Sequence, residues 1–129
     1  MKLASLKSGR DGQLVVVSRD LSRAVSAATV APTLQAALDD WASCEAPLNK
    51  LYEALQSGPV EGEFPFDSRA AAAPLPRCYH WADGSAYVTH VELVRKARGA
   101  ELPESFWTDP LIYMGASDAF IGANDDVLA

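Results

Sequence analysis

The sequence predicts an α+β fold: an N-terminal β-hairpin or small sheet with two helices, followed by a helix-containing segment. Three observations lead there. Residues 2–6 alternate loosely and Gln13 to Ser18 is rich in valine, with the turn-forming run Ser8-Gly9-Arg10-Asp11-Gly12 between them. Two stretches then repeat apolar residues at helical spacing, Leu34, Leu38 and Trp41 in the first and Leu48, Leu51, Tyr52 and Leu55 in the second. A third stretch, Tyr87, His90, Val91 and Val94, follows the same i, i+3, i+4, i+7 rule after a pair of prolines.

Each element has a local reason. A short strand over residues 23–26 is placed to join the hairpin. Thr33 is a good N-cap for the first helix, and Pro47 is read as opening the second, where a missing N–H is tolerated. The run Gly58 to Pro65 is a loop, and its Glu61-Gly62-Glu63 is expected to be solvated. The run from Ala70 to Ala73 suits either a helical turn or a small-residue strand. Pro74 and Pro76 mark a boundary, dividing the chain into residues 1–76 and 77–129. Beyond it, Ser85 is read as the N-cap of the third helix and Gly99, after Lys96 and Arg98, as its stop. Asp118, Asp125 and Asp126 lack the alternating ligands and central glycine of a calcium loop, so a turn leading into a further strand is expected.

Composition narrows the function. Hydrophobic residues make up 49% and charged residues 22% of the 129, ordinary for a folded globular chain. No apolar run of about 20 residues and no basic-then-apolar leader occurs, so the expectation is a cytoplasmic protein with no membrane partner. Cys44 and Cys78 fit neither a zinc pattern nor a disulfide framework and are read as reduced thiols. A net charge of −6 opposes nucleic-acid binding. The one dense basic cluster, Arg95, Lys96 and Arg98, lies at a helix C-terminus, where cations are favoured whatever the function.

The residues most suited to chemistry are Asp83 and His90, with Tyr87 between them. A carboxylate before a helix either caps free N–H groups or faces a cation, and a histidine one turn in is either a hydrogen-bonded packing residue or a base. Local chemistry leaves both pairs of readings open.

The run Pro74-Leu75-Pro76-Arg77, then Trp81-Ala82-Asp83-Gly84-Ser85-Ala86-Tyr87-Val88-Thr89-His90 onward to Arg98-Gly99, resembles bacterial members of the fumarylacetoacetate hydrolase family. The likeness continues through Phe106-Trp107-Thr108-Asp109-Pro110-Leu111 and Tyr113-Met114-Gly115-Ala116-Ser117-Asp118, and more loosely back through residues 14–20 and 31–41. It implies a metal-dependent hydrolase that cleaves a carbon–carbon bond in fumarylacetoacetate or another acylpyruvate-type diketo acid of aromatic catabolism. Residue by residue, it implies Asp83 as a ligand of Mg2+ or Ca2+, His90 as general base, and Arg98 and Tyr113 as substrate contacts. It further implies a homodimer, with residues 1–76 as the N-terminal domain and 77–129 as the start of a catalytic domain continued in a longer enzyme.

The chain departs from the family pattern in several places. Met114 stands where many members have a polar residue, and Leu93 occupies the position one turn after His90 where some smaller relatives carry a glutamate. The family's Glu-x-Glu pair lies downstream of its histidine, whereas Glu61-Gly62-Glu63 precedes His90. A non-catalytic binding or assembly module, and a hydratase, decarboxylase or isomerase of the same superfamily, are the alternatives to the hydrolase.

Overall fold

The computed structural model describes residues 1–109, 111–115 and 119–128, in two compact units, Met1–Cys78 with Asp118–Ala129, and Tyr79–Ser117. The mixed α+β class expected from the sequence is what the chain forms. Among the described residues no helix is long and apolar enough to cross a membrane.

The first unit is built on an antiparallel sheet in the order β1 (Lys2–Leu6), β2 (Gln13–Val17), β3 (Arg23–Ser26) and β4 (Phe64–Pro65). The expected hairpin pairs Lys2 with Val17 and Leu6 with Gln13. At its turn Gly12 takes φ +75°, and a Cβ there would sit 2.7 Å from that of Ser5, so glycine is required twice over. Both faces of β2 are covered. Leu14 and Val16 pack with Val25, Cys44, Leu48 and Leu55 under the helices, while Val15 and Val17 pack with Ala24, Leu6, Phe64 and Phe66 on the other side. That is why Leu14 to Val17 is continuously apolar rather than alternating.

Helix α1 (Leu34–Asp39) begins as expected at Thr33, whose Oγ1 accepts the Ala36 N–H at 3.1 Å. Its expected apolar stripe is only partly right: Leu38 is 46% exposed, and Ala37 is the residue that is buried.

Helix α2 (Trp41–Ser57) corrects the sequence expectation more sharply. It starts at Trp41, and Pro47 lies inside it rather than opening it. Proline there removes one i to i−4 hydrogen bond and disfavours the helix by about 3 kcal/mol. Against this, Cys44, Leu48 and Leu55 form one buried stripe running through the proline. Burial of each leucine contributes about 1.5–3 kcal/mol, so packing outweighs the local defect.

The loop after α2 also differs from expectation. Glu63 is ion-paired with Arg23 at 2.7 Å and accepts the Val60 N–H at 3.0 Å, so only part of Glu61-Gly62-Glu63 is solvated. Arg23 further donates to the carbonyls of Gly58 and Leu55, tying the end of α2 to the sheet. A single 3-10 turn at Ser68–Ala70 precedes a β-bridge between Ala71 and Leu6, so the alanine run divides between the two conformations open to it.

Residues 119–128 return to this same unit. The Phe120 N–H donates to the Pro76 carbonyl at 2.8 Å, and Asn124 Nδ2 donates to the Ser68 carbonyl at 3.1 Å. Asp125 accepts from the Gly122 N–H and is ion-paired with Lys7, which holds its carboxyl below the usual range. Residues 122–125 thus form a turn, as expected, but the described residues after it, 126–128, are not a strand, and Asp125 is occupied by Lys7. Asp118 lies outside the described residues. Cys44 is buried, Cys78 is half-buried, and both are free thiols.

In the second unit, β5 (Ala82–Gly84) and β6 (Ile112–Met114) form an antiparallel pair, with α3 (Val88–Ala97) and a 3-10 turn at Glu104–Trp107 between them. The ladder extends beyond the strands, from Ser85 N–H to the Leu111 carbonyl at 2.8 Å and from Gly115 N–H to the Trp81 carbonyl at 3.0 Å.

Candidate functional site

That extended ladder explains a correction at the start of α3. Ser85 was expected to cap the helix, but its N–H belongs to the ribbon and its hydroxyl points to Asp83 at 3.4 Å. The helix begins at Val88 with Tyr87 in the N-cap position and no side-chain cap. Tyr87 therefore leaves the expected stripe and is 76% exposed. The other end agrees with expectation: Gly99, at φ +66°, follows the last turn, and its N–H donates to the Lys96 carbonyl.

Asp83 and Tyr113 are directly opposite each other in the β5–β6 register. Cross-strand partners share a face, and here the Tyr113 hydroxyl donates to Asp83 Oδ2 at 3.2 Å. With Ser85 near Oδ1, each carboxylate oxygen has a hydroxyl beside it. The negative charge of Asp83 raises the Tyr113 pKa above its ordinary value of 10.0, because it disfavours a second anion beside it. Trp81 packs edge-on against the same tyrosine, ring centres 6.4 Å apart.

Between this ribbon and α3 lies a pocket of about 450 Å3, lined by Ser85, His90, Arg95, Arg98 and Tyr113 over an apolar floor that includes the buried Val91. His90, from the first turn of α3, and Arg98, at its C-cap, both reach this pocket. Tyr113 enters from β6. Three of the four residues singled out in the sequence line one pocket, and the fourth, Asp83, is bonded to one of the three.

Two members were not assigned a role from the sequence. Ser85 was hidden by its suitability as a cap. Arg95 was read only as part of a basic helix end, although its three-residue spacing from Arg98 places both on one side of the helix.

Asp83 is chemically suited to a hard cation, but one carboxylate is far from the six or so oxygens that Mg2+ or Ca2+ takes. Among the described residues no group of three His, Cys, Asp or Glu side chains could hold a metal ion. These residues alone do not make a complete cation site.

The geometry thus defines an α+β chain whose first unit is a small sheet-and-helix domain and whose second carries a basic, ligand-sized pocket. A family model described as fumarylacetoacetase N-terminal domain 2 matches residues 1–77, and the chain belongs to the fumarylacetoacetate hydrolase family. No curated protein matches the chain.

Proposed function

We propose that this chain is the N-terminal part of a hydrolase that cleaves a carbon–carbon bond in an acylpyruvate-type diketo acid, with the pocket beside α3 as the substrate site. The observation that supports this is the shared lining of that pocket by His90, Arg98 and Tyr113. Arg98 would hold the substrate carboxylate through its planar pair of N–H donors. His90 would take a proton from water as the water oxygen adds to the carbonyl. The carbon–carbon bond then breaks, leaving a carboxylic acid and an enolate, and the enolate regains a proton to give the ketone. Tyr113 would contact the substrate from the opposite wall.

Asp83 is proposed as one ligand of a Mg2+ or Ca2+ ion whose further ligands lie outside the described residues. Such an ion supplies Lewis acidity when bound.

The test is turnover of fumarylacetoacetate or fumarylpyruvate by the intact enzyme in the presence of Mg2+. His90→Ala is expected to lower kcat by about 10²–10⁴-fold with an unchanged circular dichroism spectrum. A His90→Ala variant with wild-type turnover would remove His90 from the reaction. An intact enzyme that turns over neither compound would favour the binding module.

A further inference from the structure

The family match ends at residue 77, but the first unit does not. β1 is the last strand of its sheet, and residues 70–74 run along its outer edge. The Lys7 N–H donates to the Ala70 carbonyl at 2.9 Å, the Ala72 N–H to the Ser5 carbonyl at 2.8 Å, and the buried Ser5 hydroxyl to the Pro74 carbonyl at 2.7 Å. Residues 120–125 return to this edge. Gly122 is buried, and a Cβ on it would stand 2.5 Å from the Ala71 carbonyl oxygen, a backbone atom that cannot turn aside. Asp125 accepts the Gly122 N–H at 2.7 Å and is ion-paired with Lys7, whose Nζ also donates to the Arg69 carbonyl at 2.6 Å. With the Phe120 N–H on the Pro76 carbonyl, these contacts make a clasp.

Pro76 and Phe120, which the clasp joins, flank the second unit. Trp81 lies five positions after Pro76, and Gly115 five positions before Phe120. Those two residues share the hydrogen bond at the end of the β5–β6 ribbon. Through the clasp they are ten positions apart, against 34 through α3, from 81 to 115. Closing a flexible loop costs entropy in proportion to the logarithm of its length, so the shorter path favours the pairing by about five- to tenfold. The ribbon is sensitive to such a factor. Its strands have three residues each, β6 is exposed throughout, and a two-stranded ribbon is marginal by itself.

We propose that residues 120–125 are a clasp through which the first unit controls the second. With the clasp docked, β5 and β6 pair and hold Tyr113 opposite Asp83. With it released, the ribbon opens more often and the pocket loses the wall that Tyr113 supplies. The coupling runs along the chain and does not depend on which ligand the pocket takes.

The experiment is amide hydrogen exchange followed by NMR on the full 129-residue chain, read at Ser85 and Gly115, whose N–H groups bridge the ribbon, with Val15 and Val16 of β2 as reference. Gly122→Ala is expected to lower protection at Ser85 and Gly115 about five- to tenfold and to leave β2 within about twofold of the wild type. Asp125→Asn breaks the ion pair with Lys7 but keeps an acceptor for the Gly122 N–H, and is expected to act in the same direction by about twofold. Asp126→Asn removes the same charge one position along and is expected to change nothing. Unchanged ribbon protection in Gly122→Ala, an equal loss in β2, an equal effect of Asp126→Asn, or no protection at Ser85 and Gly115 in the wild type would each overturn the proposal. If Gly122→Ala does not fold, Asp125→Asn decides, and ribbon protection that stays at the wild-type value there overturns it. The readout is pairing and not turnover, so a failure here leaves the proposed hydrolysis standing.

Discussion

Leu21 shows how a single residue can carry strain that its surroundings hold in place. It occupies the turn between β2 and β3 at φ 63°, the left-handed region that disfavours a side chain, and it is half exposed. Replacing it with glycine removes that penalty, so Leu21→Gly should raise stability by about 0.5–1 kcal/mol in urea unfolding. Beside it, Asp20 accepts hydrogen bonds from the Ser18 hydroxyl and from the Ser22 N–H and hydroxyl, which lower its pKa from 3.8 to about 2. A depressed carboxylate stabilises the fold above its unfolded pKa and loses that contribution as pH falls through the folded value. The fall in Tm between about pH 4 and about pH 2 should therefore be smaller in Asp20→Asn than in the wild type. At the site, the raised Tyr113 pKa depends on the charge of Asp83, so Asp83→Asn should return the phenol toward 10.0 in an ultraviolet titration. A titration unchanged by that substitution would mean that the two side chains do not meet in solution.

At the scale of elements, what was legible in the sequence and what was not follow from where the controlling interactions lie. The hairpin and the cap of α1 rest on neighbouring residues, and both stand where the pattern put them. The start of α2 does not, because a proline is a local signal and the buried stripe of Cys44, Leu48 and Leu55 is a tertiary one that overrides it. Ser85 was misread for a similar reason: its backbone partner, Leu111, is distant in sequence. The two-residue β4 is likewise set by its pairing with β3 and not by any pattern of its own. Arg23 ties β3 to the end of α2 and to Glu63 in the loop that follows, so Arg23→Ala should destabilise the chain by about 1–3 kcal/mol. In the second unit, a Cβ on Gly115 would fall 1.7 Å from Trp81 Cε2. Gly115→Ala should displace the indole, and a tryptophan emission spectrum identical to that of the wild type would contradict the close approach.

For the whole molecule, family membership comes from residues 1–77, whereas the residues suited to chemistry lie in Tyr79–Ser117. The candidate site was legible as a set of residues only through the family resemblance, because local chemistry left Asp83 and His90 open to structural readings and gave Arg98 and Tyr113 no role. Its geometry was not, since the pocket depends on β6 bringing Tyr113 opposite Asp83. We propose the pocket beside α3 as the ligand site. The measurement that tests it most directly is a backbone amide NMR titration of the full chain with acetopyruvate. The expected result is shifts concentrated at Ser85, His90, Val94, Arg98 and Tyr113, with α1 and α2 unmoved. Shifts confined to the N-terminal sheet and its helices would contradict it.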